Sequence, residues 1–145
     1  MTNDKMPPAS AGGIPVGEDL IPDDERMSAA EFRTITEFLG LSQVDIPAIL
    51  GVNERTMRHW LSGRNLIPDR MRIRIEEIEA FTARAVGDVV DACMDIPDPT
   101  VLVYRTDEDM WAARPEFRPY PARWWRHVVA QAAIEVPALM IDYPS

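Results

Sequence analysis

Between Ser42 and Gly63 the chain runs SQVDIPAILGVNERTMRHWLSG, two short apolar-periodic segments separated by one glycine and closed by another. Gly51 stands where a first helix has to stop and the chain turn sharply, because a left-handed residue is cheapest as glycine. Ser42 is a good N-cap for the first segment, with Asp45 in place to complement its first turn, and Asn53 caps the second. Ile46, Ile49, Leu50, Val52, Met57, Trp60 and Leu61 are spaced so that each helix buries one face against the other. Glu54, Arg55, Arg58, His59 and Ser62 are left pointing outward.

The flanking segments supply what this pair packs against. Ser28-Ala29-Ala30-Glu31 is a capping box that opens a helix with Phe32, Ile35, Phe38 and Leu39 on one side. Pro68 suits the first turn of a later helix, which the apolar stripe Met71, Ile75, Ile78, Ala85 and Val89 carries over residues 68–94 with Phe81 beside it. Its later part, 81–93, has too few partners in the N-terminal half and is expected to pack on the C-terminal region or on another subunit, and Gly87 is a candidate bend. Ile96-Pro97-Asp98-Pro99 is a breaker and the predicted domain boundary, so a chain cut at Ile96 is expected to fold on its own.

Beyond the boundary, 100–104 has the β-branched content of a strand, and Thr106 caps a short helix whose first turn is Asp107-Glu108-Asp109. Pro115, Pro119 and Pro121 punctuate a loop, and 122–135 is a last helix, stopped by Pro137, with Trp125, Val128, Val129 and Ala132 inward. Residues 138–141 are a candidate strand to pair with 101–104. Trp124 and Trp125 point about 100° apart on a helix, which predicts one in the core and one against a partner chain. Trp124, Trp125, Val128 and Val129 are therefore expected in or behind a contact between two copies. The fold class expected is mainly α: a tail over 1–26, a bundle of four to five helices over 27–95, and a small α+β dimerisation domain over 96–145.

Charge locates a function. The net charge of −9 is the wrong sign for a nucleic-acid binder, but residues 51–75 carry six arginines against Glu54 and Asp69, a balance of +4, which leaves −13 on the other 120 residues. A positive field concentrated on the second helix and the segment after it fits phosphates. The chain has no apolar run of about 18 residues, hence no expected membrane span. Its N-terminus lacks a basic-then-apolar signal pattern, which predicts a cytoplasmic protein. The single cysteine, Cys93, cannot form an internal disulfide and reads as a small core residue. The acidic triplet reads as a helix start, and His59 and His127 are too far apart in sequence, with no CxxC, to suggest a metal. No Ser/His/Asp arrangement and no Gly-rich phosphate loop is present, so neither an enzyme nor a cofactor is expected.

Taken together, Gln43, Ala48-Ile49-Leu50-Gly51-Val52, Asn53, Thr56-Met57, Trp60 and Gly63-Arg64 resemble the lambda-repressor/Cro-type (Xre-like) helix-turn-helix regulators. Pro47 departs from that pattern, which usually has a small residue there, and predicts a first helix that begins late or is kinked. A second, less specific resemblance lies in Val103-Tyr104-Arg105, the acid-capped short helix, the proline-rich loop and the Trp124-Trp125-Arg126-His127-Val128-Val129-Ala130 run. These are similar to the C-terminal part of the anti-CRISPR-associated, YdiL-like regulators. The two resemblances cover roughly residues 28–141.

What they imply is a major-groove recognition helix over 53–62, with Glu54, Arg55 and His59 at base contacts and Arg58 beside them. Gln43, Thr56, Ser62, Arg64 and Asn65 would grip phosphates, and the C-terminal part would join two copies. Arg55 is the best candidate for a guanine and Glu54 for cytosine N4, while Glu54 serving only the helix dipole, and Arg58 reaching a phosphate, stay open. The expectation is a sequence-specific transcriptional regulator, a homodimeric (auto)repressor on an inverted repeat of double-stranded DNA. The alternatives are an antitoxin or adaptor whose C-terminal domain grips a protein partner, or a regulator that also binds RNA.

Overall fold

The computed structural model describes residues 26–145. The predicted tail lies outside the described residues apart from Arg26, which pairs with Asp69 at 3.2 Å. In chain order the elements are α1 (Ala29–Phe38), α2 (Ile46–Leu50), α3 (Glu54–Leu61), α4 (Asp69–Cys93), β1 (Thr100–Leu102), α5 (Asp107–Ala113), a 3-10 turn (Pro115–Phe117), α6 (Ala122–Glu135) and β2 (Met140–Asp142). The described residues are mainly helical, with one small two-stranded sheet.

The local starts follow from capping chemistry. Glu31 N–H donates to Ser28 Oγ at 3.0 Å and Ser28 N–H to Glu31 Oε1 at 3.3 Å, closing the capping box of α1. At α2 the cap shifts: Ser42 donates through its N–H and its hydroxyl to Asp45 Oδ2 (3.0 and 2.7 Å), and Asp45, not Ser42, occupies the N-cap position. Pro47 then falls in the first turn, where its missing N–H has no intrahelical partner to lose. The late start anticipated at Pro47 is thus what the chain adopts, at the expense of a helix of five residues. Gly51 ends α2 at φ 72°, and Asn53 Oδ1 accepts from Thr56 N–H at 2.7 Å to start α3.

Phe32 and Trp60 meet edge to face at 6.1 Å, and Leu39, Leu50, Met57, Ile67, Met71 and Ile75 complete the core around α1 to α4. Phe38, placed on the buried side of α1 by periodicity, is instead 62% exposed; α1 turns Thr36 inward, with its hydroxyl donating to Phe32 O at 2.8 Å. α4 runs unbroken through Gly87.

The second half of α4 packs along α6 in the same chain, and this joins the two halves of the sequence. Trp124 is fully buried; its Nε1–H donates to Thr82 Oγ1 at 3.0 Å while Thr82 itself donates to Ile78 O at 2.7 Å. Trp125, 2% exposed, leans the other way and donates to Leu102 O at 2.8 Å. One tryptophan in the core and one against a partner chain was the expectation, but both are interior because α6 has walls on two sides: α4 with Phe81 on one, β1 and the 3-10 turn with Phe117 on the other. Removing everything after Ile96 would take away the α6 surface against which this buried half of α4, with Thr82, Ala85 and Val89, packs.

Two further features hold the halves in place. Gly40, at φ 77°, lets the α1–α2 corner come so close to α6 that an added Cβ would lie 2.9 Å from Arg123 O. His127 Nδ1 hydrogen-bonds Phe38 O at 2.9 Å across the same seam. At the start of α6, Asp107 Oδ1 accepts from Ala122 N–H at 2.7 Å, so an acid from the first turn of α5 also caps the last helix. β1 and β2 are parallel, in the register Thr100↔Met140, Val101↔Ile141, Leu102↔Asp142, with α5 and α6 forming the crossover that parallel strands require.

Candidate nucleic-acid interface

The face of α3 turned away from the core is built by its neighbours. Met57 and Trp60 anchor the helix in the interior, which leaves Glu54, Arg55 and Arg58 exposed and His59 and Thr56 half-buried at the rim. Ser62, Arg64 and Asn65, also exposed, follow immediately after the helix. The structure therefore brings together on one end of the molecule all the outward residues singled out on this helix and the turn after it. Glu54 and Arg58 approach to 3.9 Å one turn apart. A pair this exposed is worth little and is free to exchange for a ligand.

The arginine cluster divides into two groups. Arg72 pairs with Glu31 at 3.4 Å, and Arg74 donates to Ile49 O at 3.0 Å and pairs with Glu77 at 3.2 Å, so Arg74 serves the C-terminal end of α2. These two are framework. Among the described residues Arg55, Arg64 and Arg70 make no ion pair with an acid, and with Arg58 they carry the outward positive charge.

His59 is held below the usual 6.5, first by its partial removal from water and then by Arg64, Arg55 and Arg58 around it. Asn65 Nδ2, which can only donate, lies 3.4 Å from His59 Nδ1, an arrangement that suits the neutral ring. His59 is thus a neutral polar group inside a ring of cations.

Gln43 is exposed on the turn before α2, and it lines one cleft of about 310 Å³ with Ser42, Leu61 at the end of α3, Arg33 of α1 and Arg123 of α6. Arg33 and Arg123 were not singled out in the sequence. Arg123 comes from the far end of the chain and reaches this cleft only because Gly40 seats the corner on α6, so no local pattern announces it. Arg33 is tied to Glu37 at 3.7 Å, whereas Arg123 makes no ion pair among the described residues.

The four residues assigned to a contact between copies are elsewhere. Trp124, Val128 and Val129 are 0% exposed and Trp125 2%, all within a single chain. In the single chain none of them presents a surface of its own, which leaves only the place behind a contact: they fill the seam between α4, α6 and β1. Among the described residues no helix is long and apolar enough to cross a membrane, and no group of three or more His, Cys, Asp or Glu is placed to hold a metal ion. Neither a protein-family model nor a curated protein sequence matches the chain.

Proposed function

We propose that the chain is a sequence-specific DNA-binding transcriptional regulator that reads the major groove through residues 53–62 and acts as a homodimeric repressor on an inverted repeat. The observation that carries this reading is the outward end of α3. A short helix, positioned by a left-handed glycine and an asparagine cap, presents Glu54, Arg55, Arg58 and His59 together, and Arg64 and Arg70, which make no ion pair among the described residues, follow it. The acids that give the chain its charge of −9 lie mostly outside this segment, and salt screens distant charges over about 8 Å.

In this reading Arg55 donates to guanine O6 and N7, Glu54 accepts from cytosine N4, and Gln43, Thr56, Ser62, Arg64 and Asn65 hold phosphates. Arg33 and Arg123 extend the phosphate grip beside Gln43. The assignment is tested by a pair of substitutions measured on the selected site and on random duplex at several salt concentrations. Arg55→Ala is expected to cost about 1–3 kcal/mol on the preferred site and to relax the choice of one base per half-site. Arg64→Ala is expected to weaken all sequences alike and to lower the salt slope by about one. An equal loss from Arg55→Ala on random DNA would demote it to a phosphate contact, and absence of duplex binding at low salt would end the proposal.

His59 adds a pH signature. Its proton affinity is depressed in the free protein, and the phosphates of a bound duplex raise it, so the complex takes up protons and binding tightens as pH falls from about 7.5 towards 6. Folding stability moves the opposite way: a pKa lowered in the folded state gives stability that is present above 6.5 and declines as pH falls below it. Anisotropy titrations across this range, repeated with His59→Gln, check the first effect; an unchanged pH slope in the variant assigns the proton to another group.

For self-association, the sheet offers one exposed apolar surface. Thr100, Leu102, Met140 and Asp142 share one face by register, and Leu102 and Met140 are 40% and 53% exposed. A two-stranded sheet is marginal alone, and its outer edges are unpaired among the described residues, a template for strands of a second copy. This exposed face favours a homodimer joined through the sheet.

A further inference from the structure

On the opposite side of β1 from that face, the chain forms a half-open cavity of about 370 Å³ between the second half of α4, Val101, the 3-10 turn and the start of α6. Its walls are apolar, chiefly Phe81, Val89, Val101, Phe117 and Trp125, with the buried thiol of Cys93 among them. The rim is charged. Arg84 and Arg114 stand against a single acid, Asp88. Both guanidiniums are seated on aromatic walls of the same cavity: Arg84 Cζ is 6.0 Å from the Phe81 centroid, and Arg114 Cζ is 5.4 Å from Phe117 and 5.0 Å from Trp125.

We propose that this cavity binds a small amphipathic anion, a planar or branched apolar body carrying one carboxylate that lies between Arg84 and Arg114. The volume lies within the range of small-molecule sites, which combine mostly apolar walls with a few placed polar groups. It has no room for a helix or a second chain. The choice of an anion rests on the two cations outnumbering Asp88, and on their being under-used. Arg84 has no ion pair among the described residues, and Arg114 reaches only Glu116, at 3.8 Å. Stacking on Phe81, Phe117 and Trp125 orders the two guanidiniums while leaving their N–H groups to donate, and their fork matches a carboxylate. None of these residues belongs to the outward end of α3, so the site and the DNA reading stand or fall separately.

Isothermal titration of the full chain with 2-naphthoate, and with 2-naphthamide as its neutral isostere, tests the proposal without DNA. One site per chain is expected, with the amide about ten- to a hundredfold weaker, as befits the loss of charge-assisted hydrogen bonds. Arg84→Gln together with Arg114→Gln should bring the two probes to equal, weak affinity. Arg84→Gln alone, on an exposed turn of α4, should narrow the gap and retains the fold if the double variant does not. Ala92→Phe, which places a ring in the mouth from an exposed position, should remove both. Equal binding of acid and amide by the unaltered chain, binding that survives Ala92→Phe, or no binding of either probe at millimolar concentration would each overturn the proposal.

Discussion

Gly40→Ala is expected to destabilise the chain by roughly 2–5 kcal/mol, the sum of left-handed backbone strain and overpacking. Gly51→Ala, in contrast, is expected to cost only about 1–2 kcal/mol. Both glycines have positive φ, 77° and 72°, so the backbone contribution is common to them. They differ in surroundings. Around Gly51 nothing lies within 4 Å of an added Cβ, while at Gly40 the methyl would meet Arg123 O and the His127 ring, each at 2.9 Å. A side-chain ring can swing aside, but the carbonyl belongs to the first turn of α6 and moves only with that helix. Relief therefore means parting the α1–α2 corner from α6 and lengthening the His127 to Phe38 hydrogen bond, 2.9 Å in the structure. Chemical denaturation of the two variants checks this, since their difference isolates the close approach. Equal losses would show that the seam between the two halves is loose.

That seam also marks where sequence reasoning stops. Elements announced by local chemistry were legible: the capping box at Ser28, the turn at Gly51, the Asn53 cap, and α6 between Pro121 and Pro137. Each rests on a signal carried within a few residues. The outward set on α3 was legible for the same reason, because Met57 and Trp60 fix which side faces in. Less legible was anything set by which surfaces meet. In α6 the buried residues form two adjacent stripes, Trp124 with Val128 and Trp125 with Val129 and Ala132. Periodicity shows both stripes, but the number of walls around the helix is a tertiary fact, and one wall was assumed where there are two. Sending a tryptophan to a partner chain was the consequence. Composition likewise counts six arginines without saying which are committed, and Arg72 and Arg74 are held by Glu31, Glu77 and the Ile49 carbonyl. Arg123 shows the reverse, a cation that distance in sequence concealed and packing delivered to the cleft beside Gln43.

Leu102→Lys combined with Met140→Lys is expected to lower affinity for an inverted repeat by about 10²–10⁴-fold while leaving single half-site affinity unchanged. One copy offers one α3, and a short half-site gives limited binding free energy. Joining two copies makes the second contact intramolecular, and a two-fold pair of reading helices demands half-site centres about one helical turn, ~34–36 Å, apart. The four apolar residues first assigned to the joint are in the interior, so substituting them would test folding and not association; Trp124→Ala, for example, would remove a fully buried indole and leave Thr82 Oγ1 without its donor. Leu102 and Met140 are the better probes because both are largely exposed on one face of the sheet and tolerate a charge in the separated chain. In a pair built through that face, the ammonium groups would be desolvated and brought near their symmetry mates, opposing association without touching α3. Sedimentation at micromolar concentration and titration on single and paired half-sites read the two effects independently. A variant that remains dimeric moves the joint to another surface. An unaltered chain that sediments as a monomer removes the inverted repeat from the proposal and leaves α3 reading one half-site.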